Sequence, residues 1–438
     1  MTAQRDREDK TQPERVPGRI PGGRLRRLLF YLGMIGPGLI AAIAGDDAGG
    51  VATYATVGAS YGYQLLWALV LMTVSLSLVQ EMSTRLGAVT GRGLADLIRE
   101  QFGLRWTAVS LITLLVANGA TVVSEFAGVA AALELLGVTK YASVPIAAVA
   151  IWVLVVWGSY HRVERVFLAM TLAFLAYPIT VFLIHPDWAE IGRAIIFPQF
   201  VVNSAFITTL VAMLGTTITP YMQIYAQSAV AEKGVDLEHY GWERADAYTG
   251  AILSNLFAFF IIVTTAAVLF PRGIQIQTAA DAAQALAPLA GNWASVIFAL
   301  GLLGASLLAA GVLPLSTAYP ISEALGLERG VSRTFQEAPF FMGVFTGLII
   351  IGAGITLLPG LPLIPLLILA QVINGVLLPI VLVSIVRLAG DRELMGSYAN
   401  GLLYGVLGWG TVVVVSILSV VMVINSLLGF AGIQIGGG

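Results

Sequence analysis

Cysteine is absent from all 438 residues, which excludes disulfides, thiolate metal centres and c-type haem attachment. Histidine is scarce: His161, His185 and His239 are the only three, and each is expected in a loop. The zinc signature His-Glu-x-x-His and the usual base for a nucleophile are therefore missing from the apolar part of the chain. No enzymatic chemistry is expected. Charge is also sparse, with 11% Asp, Glu, Lys and Arg against 58% hydrophobic residues, where a soluble domain carries about 25% charged residues. That composition describes a polytopic helical protein of the lipid bilayer. The net charge of −2 and the pI near 6.0 give no argument for a nucleic-acid partner.

Apolar runs near 20 residues read as membrane spans. Eleven are expected, at 28–58, 62–85, 106–135, 142–158, 164–184, 203–231, 247–270, 288–317, 339–358, 361–386 and 399–426. Residues 1–27, rich in Arg with Pro13, Pro17 and Pro21, read as a disordered basic cytoplasmic tail, 28–427 as one membrane domain, and 428–438 as a short tail. With the N-terminus inside, only Lys140, Arg193 and Arg272 of the 23 Lys and Arg fall on the outer side, a bias that sets the orientation. The eleventh span then leaves the C-terminus outside, and the expected location is the plasma membrane. A monomer is expected. Gly343-x-x-x-Gly347 and Gly401-x-x-x-Gly405 are read as close helix contacts.

The most informative segment is Gly45-Asp46-Asp47-Ala48-Gly49-Gly50, two carboxylates among glycines in the middle of the first span. An Asp at a membrane helix centre costs about 2.5–3.5 kcal/mol, so it marks a functional site by default. The glycines predict a break in the helix there. Freed carbonyls beside two carboxylates form a hard oxygen set suited to a divalent cation. A second break is expected in the sixth span at Gly215-Thr216-Thr217-Ile218-Thr219-Pro220-Tyr221, where proline removes a backbone donor. Paired breaks in corresponding positions point to two inverted five-helix halves, 28–200 and 201–390, followed by an extra helix at 399–427. A transporter with its site at the midplane follows.

Gly36-Pro37-Gly38-Leu39-Ile40-Ala41-Ala42-Ile43-Ala44, followed by Asp47-Ala48-Gly49-Gly50, resembles the first helix of the Nramp divalent-metal transporters, whose motif there is Asp-Pro-Gly-Asn. Thr219-Pro220-Tyr221 falls where that family carries Met-Pro-His. The resemblance implies a LeuT-type fold and a metal site between helices one and six. It also exposes departures. Gly50 stands in place of the metal-binding Asn, Thr219 in place of Met, and Tyr221 in place of His. In the third span Thr121-Val122-Val123-Ser124-Glu125 resembles the family's Thr-Asp-x-x-Glu with the proton-accepting Asp changed to Val122. These changes resemble the Nramp-related magnesium transporters, a branch that this resemblance implies carries Mg²⁺ and Mn²⁺ without proton coupling.

The resulting expectation is a uniporter moving partly hydrated Mg²⁺, and also Mn²⁺, by alternating access. Its metal residues are Asp46, Asp47, Gly50, Thr216, Thr219 and Gln371, the last matching a family glutamine. Glu125, Asn374, Glu81 and Tyr221 are expected in secondary or gating roles, with Glu81 able to pair with Arg85 at i+4. No cofactor is expected; the metal is substrate. The alternatives are a proton-coupled Mn²⁺/Fe²⁺ carrier of the Nramp type and, from another class, a divalent-cation channel.

Overall fold

The computed structural model describes residues 47–156, 160–201, 203–233, 240–328 and 335–430. Asp46, the basic tail and the first half of the first expected span lie outside the described residues. The described chain is helical throughout. Its first half comprises α1 (Ala48–Tyr61), α2 (Leu66–Thr90), α3 (Leu94–Leu135), α4 (Lys140–Val156), α5 (Tyr160–Thr171), α6 (Ala176–Ile184) and α7 (Trp188–Ile196). The second comprises α8 (Ser204–Thr217), α9 (Pro220–Lys233), α10 (Tyr240–Val268), α11 (Ala294–Ala324), α12 (Pro339–Thr356), α13 (Leu363–Gly390) and α14 (Leu402–Phe430). Among the described residues nine helical stretches are long and apolar enough to span a membrane, and Lys140–Val156 adds a shorter apolar helix.

The outer surface carries large apolar side chains, among them Leu71, Ile112, Ile146, Phe182 and Leu402. In water such a surface would aggregate; against lipid tails it has no cost. The interior is instead closed by small residues. A Cβ at Gly58 would lie 2.4 Å from the Ile262 carbonyl, and one at Gly375 would lie 2.3 Å from that of Val211. These glycines let α1 meet α10 and α13 meet α8 at backbone distance. Gly343, Gly347, Gly401 and Gly405 have no atom within 4 Å of such a Cβ, so the two G-x-x-x-G pairs are not the packing contacts that the sequence suggested. Spacing alone does not say which face of a helix meets a neighbour.

Some boundaries also differ from the sequence reading. α3 starts before residue 106 because it includes an initial segment bent at Gly103, whose φ of 77° only glycine adopts freely. α11 runs on to Ala324 through Pro314 and Pro320, since packed neighbours can re-satisfy groups that a proline frees. His161 lies in the first turn of α5 and not in a loop. The second expected break is present at Ile218 (φ −118°, ψ 67°), which separates α8 from α9; at the first, α1 begins after Asp47, and the residues before it lie outside the described residues.

Candidate metal site at the paired helix breaks

Asp47 is the N-cap of α1, and its Oδ1 accepts the Gly50 N–H at 2.6 Å. An N-cap aspartate satisfies an orphan amide and sits at the positive end of the helix dipole, so a buried carboxylate is tolerable there. Gly49 and Gly50 lie inside the first turn and do not break the helix, a correction to the sequence reading. Their value is space. A Cβ at Gly49 would fall 2.2 Å from Gln371 Nε2, and one at Gly50 would fall 2.8 Å from Thr216 Oγ1 and 3.1 Å from Asp47 Oδ1. Gly50 therefore brings α8 against the carboxylate, and an asparagine in its place would have to displace both neighbours.

Gln371, on α13, donates Nε2 to both Asp47 oxygens at 3.2 Å. Its own Oε1 accepts Asn374 Nδ2 at 3.1 Å, and the same amide donates to Thr121 Oγ1 on α3 at 3.0 Å. Glu125, fully buried, accepts the Ala48 N–H at 3.4 Å. On the other side Tyr54 and Thr217 share a hydroxyl bond of 2.9 Å that pins α1 to the end of α8. Pro220 has no N–H to give the Thr216 carbonyl its helical bond, and the C-terminal carbonyls of α8 carry the negative end of its dipole. The Asp47 carboxylate, the Gln371 amide and the Thr216 hydroxyl thus come together at the start of α1, beside the end of α8.

The structure brings together Asp47, Gly50, Thr216, Gln371, Asn374 and Glu125. Thr219 is buried in the break between α8 and α9. Tyr221 is half-buried at the start of α9 and packs on the core. Glu81 belongs elsewhere: it pairs with Arg85 at 3.4 Å, accepts the Tyr240 hydroxyl and lies 3.8 Å from Arg244 Nε. That cluster joins α2 to α10 and fits a gate or structural pair better than an ion ligand. Among the described residues no three His, Cys, Asp or Glu cluster closely enough to hold a metal.

One neighbour was overlooked in reading the sequence. Met222 Sδ lies 3.8 Å from Thr219 Oγ1, so the break carries a soft thioether although position 219 itself is threonine. Met222 stands in the first turn of α9, three residues after Thr219. Ser124 was also missed; its buried Oγ lies 2.9 Å from where a Gly49 Cβ would be.

The profile of the family described as "Natural resistance-associated macrophage protein-like" matches residues 38–425. The divalent metal cation transporter MntH of Yersinia pestis (strain Pestoides F) is 29% identical over 411 residues, covering 90% of this chain and 96% of that protein. MntH of Ralstonia nicotianae (strain ATCC BAA-1114 / GMI1000) is 29% identical over 418 residues, covering 90% and 91%. A mutant of the Eremococcus coleocola manganese transporter superposes with a TM-score of 0.72 at 20% identity, covering 97% of this chain and 92% of that one. MhsT in complex with L-phenylalanine superposes at 0.58 with 13% identity, covering 88% and 97%.

Proposed function

Since this chain belongs to the Nramp family, we propose that it is a secondary transporter that carries divalent metal cations, Mn²⁺ among them, across the plasma membrane by alternating access. The observation that carries this reading is the Asp47 carboxylate, buried at the start of α1 beside the end of α8 and held by Gln371. In this reading α1 and the α8–α9 pair are the broken helices of two inverted five-helix halves, 399–427 is the eleventh span, and the N-terminus faces the cytoplasm. The relatives are named for manganese and divalent metals, which supports the Nramp-type alternative over a Mg²⁺-preferring, proton-independent uniporter. Met222 adds to that support, because a thioether beside the break favours transition metals.

A second reading, that Mg²⁺ shares the path, rests on the oxygens at the start of α1, the Asp47 carboxylate and the Thr216 hydroxyl beside it, since the Gln371 oxygen is turned to Asn374. Mg²⁺ is content with one carboxylate and its own waters, and Mn²⁺ accepts the same ligands.

The selectivity test is Met222→Leu, which keeps the volume and removes the sulfur. Competition of Mn²⁺ uptake by Mg²⁺ in proteoliposomes should strengthen about three- to tenfold in the variant. An unchanged competition curve would mean that Met222 does not contact the metal. A pH dye inside the same vesicles reads coupling: acidification that scales with Mn²⁺ entry identifies proton symport, with Asp47 and Glu125 the buried acids of the site available to carry the proton.

A further inference from the structure

The bundle buries two asparagines, Asn374 and Asn118, whose own hydrogen bonds fix their orientation and leave one acceptor free on each. The sequence of bonds starts at Asp47. Because the carboxylate takes Nε2 of Gln371, the Gln371 oxygen faces Asn374 and takes its Nδ2. Thr121 spends its proton on the Ala117 carbonyl and so accepts the same Asn374 amide. Asn374 Oδ1 is left buried with no partner. Farther along α3, Thr317 of α11 gives its proton to the Leu313 carbonyl at 2.9 Å and accepts Asn118 Nδ2 at 2.6 Å. Asn118 Oδ1 is likewise buried with no partner. Both asparagines are fully buried.

Residues 118, 121 and 125 share one face of α3 and span roughly 10 Å at 1.5 Å per residue. The track therefore leads from the Asp47 level toward the Leu94 end of the bundle, the end that the basic residues Arg92, Arg99 and Arg105 mark as cytoplasmic. An unpaired buried amide oxygen costs about 1–3 kcal/mol, so two held by their own N–H₂ groups imply a visitor that brings donors. A hydrated cation is such a visitor, because every water bound to it directs its hydrogens outward.

We infer that Asn118 and Asn374 form an inner relay site that receives the metal with its water shell, through hydrogen bonds from that shell to the two amide oxygens and not through direct ligation. The inference rests on the transport reading above and extends it to the release step. It explains why the track is neutral beyond Glu125, at Thr121, Asn374 and Asn118: a carboxylate there would hold a divalent ion that must leave.

Hexaamminecobalt(III) tests this directly, because it presents only N–H donors and does not shed its ligands. Titrated into the purified chain, it should bind and should slow Mn²⁺ flux. Asn118→Leu should weaken its binding at least tenfold, and Asn118→Asp, which adds a charge to the track, should tighten it at least tenfold. Binding that vanishes in Asp47→Asn but is unchanged in both Asn118 variants would overturn the relay site, as would no binding to the wild-type chain. Wild-type Mn²⁺ flux in the same preparation separates the two ideas. Flux without Asn118-dependent binding defeats the relay alone, whereas Asn118-dependent binding without flux defeats the transport reading and leaves the acceptor site standing.

Discussion

Asp47→Asn is expected to lower Mn²⁺ uptake into proteoliposomes at least a hundredfold while leaving the melting temperature nearly unchanged. The two halves of that result separate the roles of one side chain. Asparagine caps a helix as well as aspartate does, so the Gly50 N–H keeps its acceptor and α1 keeps its start. What disappears is the charge. A unit pair 4 Å apart at an effective dielectric of about 20 is worth about 4 kcal/mol, and a divalent ion doubles it. A hundredfold loss needs only about 2.7 kcal/mol, so even a well-hydrated ion would feel the change. Asp47→Ala removes the cap as well and should cost roughly a further 1 kcal/mol of stability. Uptake in Asp47→Asn within threefold of wild type would mean that the ion passes elsewhere.

Gly215→Ala should be nearly as damaging, though by a different route. Gly215 lies in the last turn of α8, where a Cβ would fall 2.0 Å from the Gln371 carbonyl and 2.4 Å from the Gly375 N–H. Both are backbone atoms of α13 and cannot rotate aside. Overpacking of this kind costs typically 1–3 kcal/mol, and here it also separates the helix that carries Thr216 from the helix that carries Gln371. A fall of several degrees in melting temperature, with loss of uptake in whatever protein remains folded, is expected. Gly343→Ala is the control, because nothing lies near its Cβ; it should transport normally. Equal behaviour of the two variants would remove Gly215 from the helix crossing.

The helical plan was legible because a membrane span is set by length and hydropathy, both of which the sequence carries openly. Asp47 stood out because a carboxylate inside an apolar run is costly, and Pro220 with its threonines marked the second break for the same kind of reason. Gly49 and Gly50 were harder. Glycine serves both to end helices and to admit a neighbour, and only the packing of Gln371 and Thr216 shows that the second use applies here. Gly343 and Gly401 are the opposite error, motif spacing without a partner helix. Met222 was passed over because family comparison drew attention to position 219, although the sulfur one turn away reaches the same hydroxyl. The free oxygens of Asn118 and Asn374 could not be read at all, since they follow from which bonds the other atoms of those side chains make.

The most direct test of divalent-metal transport through the Asp47 site is entry of Mn²⁺ into liposomes reconstituted with the purified chain, followed by quenching of a trapped metal-sensitive dye under an inside-negative voltage. Saturable entry in the wild type, absent in Asp47→Asn and in protein-free vesicles, is the expected result. Wild-type vesicles that admit Mn²⁺ no faster than empty ones, or Asp47→Asn vesicles that admit it as fast as wild type, would contradict it.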